Sequence, residues 1–261
     1  MILDDILEKR KEQLSREKAA ASPAEVRKAA EDAACYTGRS FKAALKSLPR
    51  PAIIAEVKKA SPSKGIIAED FRPTEQAAAY QQAGAAAISC LTEEYYFKGS
   101  AEYFRQIRNT VHIPMLRKDF IFDPYQIYEA KTIGADAVLL IAAVLSPAQL
   151  RDFRLLAESL GMDVLTESHN ERELETAIEA GCTIFGINNR NLKTFEVSLE
   201  TTRRLAKLVP KDGVIVSESG ISSAEDMKLL ANLGADAVLI GETLMRSGSV
   251  EKSVAELRSL L

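Results

Sequence analysis

The 261-residue chain has no tryptophan, two histidines and three cysteines. Cys35, Cys90 and Cys182 form no CxxC pair and are odd in number, so neither a zinc site nor a disulfide framework is indicated. We expect reduced, mostly buried thiols. His112 precedes a predicted strand and His169 lies on a predicted strand-to-helix loop, so we expect ordinary turn or surface roles for both. A metal site and a Ser-His-Asp triad are therefore not predicted.

Long apolar runs and an excess of one charge are also missing. No apolar stretch approaches the roughly 18 residues of a membrane helix. The start, Met1 to Asp5, becomes acidic at once, unlike a signal peptide. The 34 basic and 37 acidic residues give a formal charge of −3 and are spread along the chain. We expect a cytoplasmic protein with no nucleic-acid and no membrane partner.

What the chain does contain is a repeat. GADAVLLI at Gly134–Ile141 recurs as GADAVLIG at Gly234–Gly241, and looser copies lie at Ala83–Leu91 and Ala180–Asn188. In each copy a glycine and two or three small or polar residues precede a short apolar run. A glycine that ends a helix, followed by a run too short for a helix, indicates helix, tight turn and buried strand. Such alternation predicts a parallel sheet, because parallel neighbours need a crossover helix between them.

Eight apolar runs follow this pattern, and their starts lie 21 to 32 residues apart. They are Ile53–Lys58, Ala85–Leu91, Ile113–Lys118, Asp136–Ile141, Met162–Glu167, Thr183–Asn188, Val214–Glu218 and Asp236–Gly241. Eight strands with a helix after each predict a closed (β/α)8 TIM barrel. An open doubly wound sheet is the alternative, and the lack of a GxGxxG turn after the first strand weakens it.

About fifty residues precede the first predicted strand. Leu3 to Lys18 is amphipathic, Ser22 to Glu25 caps a second helix, and Gly38 to Leu48 indicates a third. We predict that residues 1–50 form an N-terminal helical extension packed on a barrel of residues 51–261. Two placements stay open: a plug on the bottom of the barrel, or a flap beside its mouth.

Ionisable or amide side chains end five of the eight predicted strands. They are Glu56 and Lys58 on the first strand, Lys118 on the third, Glu167 on the fifth, Asn188 and Arg190 on the sixth, and Glu218 on the seventh. Barrel active sites lie at these carboxyl ends. Such a cluster suits acid–base chemistry on an anionic substrate, and we expect a lysine pKa lowered toward the working pH. A lone lysine in such a place is more often a solvated charge.

Small residues follow the last two strands, as Ser219-Gly220 and Gly241-Glu242. They allow backbone N–H groups to approach an anion, as in the phosphate sites common to these barrels. Two tight turns without a ligand are the alternative. The position after strands seven and eight favours phosphate.

In these motifs the chain resembles the indole-3-glycerol phosphate synthase family. The matching segments, in order along the barrel, are IIAEVKKASPSKG (53–65), LTEEYYFKGS (91–100), MLRKDFI (115–121), LTESHNE (165–171), GINNRNLKTF (186–195), SESGI (217–221) and IGETLMR (240–246). The resemblance implies an enzyme of tryptophan biosynthesis. That family closes the indole ring of 1-(2-carboxyphenylamino)-1-deoxyribulose 5-phosphate with loss of CO₂ and water, and needs no metal or organic cofactor.

The resemblance also implies roles for individual residues. Lys118 is the general acid for the ketone oxygen, while Lys58 holds the benzoate carboxylate and donates in the dehydration. Glu167 is the base of that step, and Glu56 positions it or shares its work; the division between these groups stays open. Side chains that bind substrate or stabilise the intermediate are Asn188, Arg190 and Glu218. The phosphate site is implied at Ser61, Ser219, Gly220, Gly241 and Glu242, and the apolar walls at Phe97, Phe120 and Leu192.

Three rival functions remain to be weighed. Lys118 as a Schiff-base nucleophile would make the protein an aldolase-like enzyme. An isomerase of phosphorylated aminosugars leaves the charges on the first strand unexplained, and a non-catalytic phosphosugar sensor does not need the full set of acid, base and anion groups. We expect a small phosphorylated substrate as the partner, a monomer, and no fused pathway domain.

Overall fold

The computed structural model describes residues 2–33, 39–46, 50–192 and 194–261. Eight parallel strands close into a barrel in chain order, and the first pairs with both the second and the eighth. They are β1 (Ala52–Val57), β2 (Ala87–Leu91), β3 (Met115–Lys118), β4 (Ala137–Ile141), β5 (Asp163–Ser168), β6 (Ile184–Asn188), β7 (Val214–Glu218) and β8 (Ala237–Ile240). The TIM barrel is confirmed, and the open sheet is excluded because no free edge remains between β1 and β8.

Helices precede the barrel and then alternate with its strands. They are α1 (Ile2–Ala20), α2 (Pro23–Asp32), α3 (Phe41–Leu45), α4 (Pro73–Gln82), α5 (Ala101–Arg108), α6 (Pro124–Thr132), α7 (Pro147–Ser159), α8 (Glu171–Glu179), α9 (Glu200–Leu205), α10 (Ala224–Asn232), α11 (Glu242–Met245) and α12 (Val250–Leu257). A two-stranded hairpin of Ala60–Ser61 with Gly65–Ile66 follows β1. Ala206–Leu208 forms a short 3-10 turn.

The glycines of the repeat end their helices as predicted. Gly84, Gly134, Gly181 and Gly234 have φ values of 85°, 86°, 76° and 83°. Residues with a Cβ adopt this left-handed backbone at a cost, so glycine is favoured there. Several predicted runs start one or two residues before the strand, since residues such as Asp136 belong to the turn.

The capping patterns at Ser22, Asp123 and Ser146 predict helix starts, and complete capping boxes are present at all three. The pattern Ser168-His169-Asn170-Glu171 predicts a further start at Ser168. That prediction is wrong, because β5 continues through Ser168 and Asn170 is the cap of α8. At α10 the cap is Ser223.

The N-terminal helices occupy both ends of the barrel. Phe41 and Leu45 of α3 are fully buried and pack with inward-facing strand residues such as Ile54. By contrast, α1 lies beside the mouth, where Arg10 contacts Asp119 just beyond β3. The plug on the bottom of the barrel is therefore α3, and the flap beside its mouth is α1. The division of the chain at residue 50 stays a prediction.

Cys90 and Cys182 are buried and form no disulfide, as expected. Cys35 and the ends of the predicted third helix, Gly38 and Leu48, lie outside the described residues. Within the described ranges, no helix combines the length and the apolar character needed to cross a bilayer.

Candidate active site

A cavity of about 660 Å³ opens at the carboxyl ends of the strands. Every residue predicted to be catalytic or substrate-binding lines it. They are Glu56, Lys58, Ser61, Phe97, Lys118, Phe120, Glu167, Asn188, Arg190, Leu192, Glu218, Ser219, Gly220, Gly241 and Glu242. The structure therefore brings the predicted set into one place, while the role of each residue stays a prediction.

The centre of the cavity holds a lysine between two carboxylates. Lys118 Nζ, from β3, donates to Glu167 Oε2 of β5 and to Glu218 Oε2 of β7, each at 2.8 Å. The three side chains are 13 %, 6 % and 2 % exposed. We call Lys118, Glu167 and Glu218 the acid–base cluster. Strand alternation points all three into the barrel mouth.

The proton on Lys118 is held firmly. Burial lowers the pKa of Lys118, but the charges of Glu167 and Glu218 outweigh it and raise that pKa above its ordinary value. The expectation of a lowered lysine pKa is wrong here, because the nearest charges are carboxylates rather than cations. Lys118 therefore keeps its proton in the resting protein.

The two carboxylates of the cluster differ. Burial, together with the charge of Glu167, outweighs Lys118 and raises the pKa of Glu218 to about 7. Burial also raises the pKa of Glu167, but the contacts with Lys118 and His169 outweigh burial and lower that pKa. Glu218 Oε1 is buried with no hydrogen-bond partner among the described residues. At neutral pH, Glu167 is ionised and Glu218 lies near its titration point.

Two glycines make room for these carboxylates. A Cβ at Gly186 on β6 would lie 2.2 Å from Glu218 Oε1. A Cβ at Gly241 would lie 2.3 Å from Glu56 Oε2 and 3.1 Å from Lys58 Nζ. Contacts under 3.0 Å force a shift, so each glycine clears space for a site side chain. The sequence pointed to Gly241 only as a backbone contact and missed Gly186.

A second ion pair lies where β1 meets β8. Lys58 pairs with Oε2 of Glu56, and their side chains are 16 % and 6 % exposed. We call Glu56, Lys58, Ser61 and Gly241 the β1/β8 corner. The Gly241 distances show that the charge of Lys58 adjoins the predicted phosphate site.

The turn after β7 has an unusual backbone. Ser219 and Gly220 both have positive φ, of 68° and 81°. For a serine this conformation is strained, and such strain is common at ligand sites. Val197 packs so closely on this turn that a Cβ at Gly220 would lie 2.4 Å from its Cγ1.

Two cations at the cavity rim were not predicted. Lys64 Nζ is 3.8 Å and Arg246 Nε 3.3 Å from Glu242 Oε1. Both line the cavity. Both lie within segments that resemble the family, SPSKG and IGETLMR, so the sequence contained a pattern that could have identified them. They were missed because both follow the strand ends by several residues.

The apolar wall is larger than predicted. The rings of Phe97 and Phe120 lie with centroids 6.0 Å apart, and Leu192 lines the same cavity. Further apolar lining comes from β4 and from α1. These residues are Leu139, Ile141, Ile2, Leu3 and Ile6. No local sequence pattern predicts that α1 contacts the site.

A buried charge network supports β3 from outside. Arg10 of α1 donates to both oxygens of Asp119, at 2.9 and 3.0 Å. Arg117 and Thr92 also donate to Asp119 Oδ2, at 2.9 and 2.7 Å. Because alternation directs Arg117 and Asp119 away from Lys118, the network fixes the strand without entering the acid–base cluster. The sequence did not predict it, since Arg10 and Asp119 are 109 positions apart.

The position of His169 differs from the one that the sequence predicts. It lies directly after β5, and its side chain is only 11 % exposed. Nδ1 is 2.9 Å from Glu173 Oε2, and Nε2 is 3.3 Å from Glu167 Oε1. The expected turn or surface role is therefore wrong for His169, because the short loop keeps the ring against the strand end. His112 is exposed, as predicted.

A closed barrel with an acid–base cluster at its mouth, and small-residue turns after β7 and β8, is typical of barrel enzymes that act on phosphorylated small molecules. Residues 3–257 match the family model described as indole-3-glycerol phosphate synthase. A protein of that name from Alkaliphilus metalliredigens is 49 % identical over 259 residues, covering 99 % of this chain and 98 % of its own. Another, from Acetivibrio thermocellus, is 48 % identical over 260 residues and the full length of both. The chain belongs to the indole-3-glycerol phosphate synthase family.

Solved structures of other enzymes share the fold. The 3-hexulose-6-phosphate synthase of Salmonella typhimurium has a TM-score of 0.65 at 14 % identity, covering 80 % of this chain and 98 % of its own. The thiamine phosphate pyrophosphorylase of Pyrococcus furiosus has a TM-score of 0.62 at 16 % identity, covering 80 % and 94 %. At such identities the likeness shows the barrel alone.

Proposed function

We propose that this chain closes the indole ring of 1-(2-carboxyphenylamino)-1-deoxyribulose 5-phosphate, with loss of CO₂ and water. The observation that carries the proposal is Lys118, held at 2.8 Å by each of two carboxylates in a cavity lined by further cations. Ring closure needs an acid beside the ketone and a later base, and the acid–base cluster supplies both.

Binding would use the two anionic ends of the substrate. The phosphate would sit against backbone groups of Gly220 and Gly241, with Ser61, Ser219 and Glu242 around it. The carboxylate would meet Lys58 or Arg190, since charge-assisted hydrogen bonds suit both anions. Phe97, Phe120 and Leu192 would hold the aromatic ring. Anchoring both ends bends the substrate and brings the reacting carbons together.

In the first step the ring carbon that bears the carboxylate attacks the ketone carbon. The new carbon–carbon bond forms while Lys118 gives its proton to the ketone oxygen. The carbon–carboxylate bond then breaks, CO₂ leaves, and the released electron pair restores the aromatic ring. Glu218, with its pKa raised to about 7 by burial and by Glu167, is suited to return a proton to Lys118.

Loss of water completes the indole. Glu167, ionised in the resting protein, would take the proton from carbon. Lys58 would donate to the departing hydroxyl, and Glu56, its ion-pair partner, would orient it. Asn188 and Arg190 would hold the intermediate. Glu167 on β5 and Lys58 directly after β1 lie on opposite sides of the barrel, which supports a separate base and acid for this step.

The Schiff-base alternative is disfavoured by the same cluster. A lysine attacks a carbonyl only as the neutral amine. The two carboxylates that raise the pKa of Lys118 keep it protonated. Borohydride treatment with substrate should therefore leave no adduct on Lys118.

Direct assay decides the proposal. Purified protein is mixed with the carboxyphenylamino substrate, and indole fluorescence is followed over time. Because the chain has no tryptophan, the product is read against a low protein background. Steady growth of indole emission supports the proposal; a flat trace at every pH tried overturns it.

We further propose that the enzyme acts as a monomer in the cytoplasm. The support is that one chain lines the cavity with the complete predicted set. Light scattering at assay concentrations should give the mass of a single chain, 28.6 kDa. A dimer mass would overturn this part alone.

A further inference from the structure

Beyond the acid–base cluster, His169 lies between two carboxylates. Its Nδ1 contacts Glu173 Oε2 of α8 at 2.9 Å, and its Nε2 faces Glu167 Oε1 at 3.3 Å. The second contact is an ion-pair distance that lacks hydrogen-bond geometry. These are the titratable groups that contact the ring, one from its own strand end and one from the adjoining helix.

A neutral imidazole does not suit this position. It carries one N–H and one lone pair, so one ring nitrogen would turn its lone pair toward a carboxylate oxygen. An imidazolium carries an N–H on each nitrogen, so it can donate to Glu173 and places its positive charge beside Glu167 without a hydrogen bond. The geometry alone therefore favours the charged ring, and burial, which lowers the pKa, is outweighed by Glu167 and Glu173, which raise the pKa of His169 to about 10.

Glu173 is itself fixed. Its Oε2 accepts the backbone N–H of His169 at 2.8 Å, and its Oε1 accepts Asn170 Nδ2 at 2.6 Å. Asn170 in turn caps α8. The imidazole is thus held to the first turn of a helix, and its position does not depend on solvent.

Glu167 consequently has one cation on each oxygen. Lys118 Nζ donates to Oε2 at 2.8 Å, while His169 lies against Oε1. Removing His169 would take away the cation that lies 3.3 Å from Oε1. A buried carboxylate that loses a nearby cation takes up a proton more readily.

We propose that His169, held as a cation by Glu173, is a positioning residue that keeps Glu167 ionised and its Oε2 directed at Lys118. The inference rests on the proposed function, in which Glu167 acts as a base. The contacts of His169 with Glu173 and Glu167 thereby link the position of α8 to the position of Glu167.

Kinetics of His169→Gln test this role. We expect kcat at neutral pH to fall about ten-fold with KM within two-fold, and the acidic limb of the kcat profile to move about one pH unit upward. Glu173→Gln should move the limb in the same direction by less. Arg172→Gln is the matched control, since it removes an exposed cation from the same helix and should leave the profile unchanged.

An acidic limb in His169→Gln that coincides with the wild-type limb overturns the inference. If the wild-type enzyme forms no indole at all, the proposed function has failed instead, and the two failures are distinct. Thermal unfolding of each variant shows that the compared proteins are folded.

A second measurement needs no activity and no histidine variant. The chain has two histidines, so ¹⁵N spectra of the imidazole nitrogens are readily assigned. In the wild-type enzyme at pH 8, we expect His169 to show two protonated nitrogens, and Glu173→Gln to lower the pH at which one is lost. A neutral His169 ring at pH 8 overturns the proposal even if His169→Gln does not fold.

Discussion

The acid–base cluster and the β1/β8 corner both place a lysine on a glutamate, but they are built differently. Lys118 receives two carboxylates from two other strands, whereas Lys58, directly after β1, pairs with Glu56, two residues earlier in the chain. The first arrangement exists only when the barrel is closed. The second follows from strand alternation alone.

The difference concerns how the two lysines are charged and placed. Two buried carboxylates raise the pKa of Lys118 and keep its proton on the amine. Among the described residues Lys58 pairs with Glu56, and its Nζ would lie 3.1 Å from a Cβ at Gly241. We therefore infer proton transfer for the cluster and anion binding for the corner. Three substitutions test that contrast, and a fourth experiment tests the ion pairs of His169.

Lys118→Met should have the largest effect. Loss of the general acid should lower kcat about a thousand-fold, while KM changes only a few-fold because the anion contacts remain. Steady-state indole fluorescence measures both constants. Turnover within a few-fold of wild type would show that Lys118 is not the acid.

Gly186→Ala should come next. The added Cβ would stand 2.2 Å from Glu218 Oε1, so Glu218 must leave its place on Lys118. Moving a catalytic group by about 1 Å lowers kcat about a hundred-fold. Gly234→Ala, with nothing within 4 Å of its Cβ but a positive φ, is a control for stability without site damage. Equal kcat losses in both variants would refute the steric explanation.

Lys58→Gln should act mainly on binding. A charge-assisted hydrogen bond contributes about 1.5 to 3 kcal/mol, so KM should rise about ten- to hundred-fold. Some loss of kcat is expected if Lys58 also donates in the dehydration. If Lys58→Gln leaves KM unchanged and lowers kcat as much as Lys118→Met does, the proposed difference between the acid–base cluster and the β1/β8 corner is wrong.

The smallest effect concerns stability and pH. Contacts with Glu167 and Glu173 outweigh burial and raise the pKa of His169 from 6.5 to about 10 in the folded chain. Its stabilisation is therefore complete below pH 6.5, declines from there upward, and is lost above pH 10. Urea unfolding at pH 6, 8 and 10 should show the wild-type advantage over His169→Gln shrinking as pH rises. An advantage that grows with pH would reverse the assigned sign.

Much of this molecule could be predicted from local patterns. The barrel followed from repeated glycines such as Gly134 and Gly234, since a left-handed helix end and a short apolar run are local features. Site residues at strand ends were found because parallel strands in a barrel all finish at one edge. Glu56 and Lys58 are the simplest case, being two residues apart on one face.

Other features depend on residues that are distant in sequence. Arg10 reaches Asp119 only because α1 folds over the mouth, and Gly186 matters only because Glu218 comes from the next strand. The direction of the pKa shift of Lys118 was mispredicted for the same reason. A pKa depends on the neighbours in space, and here those neighbours were carboxylates 49 and 100 positions away.

The sequence by itself determined the architecture, the family and the strand-end residues of the site, because period, turn residues and strand-end chemistry are contained in short segments. Only the tertiary structure decided how those members are charged and coupled. His169 shows the limit: its segment reads as a loop, yet barrel closure buries it between Glu167 and Glu173. Burial and long-range ion pairs are properties of the packed chain, and no local pattern encodes them.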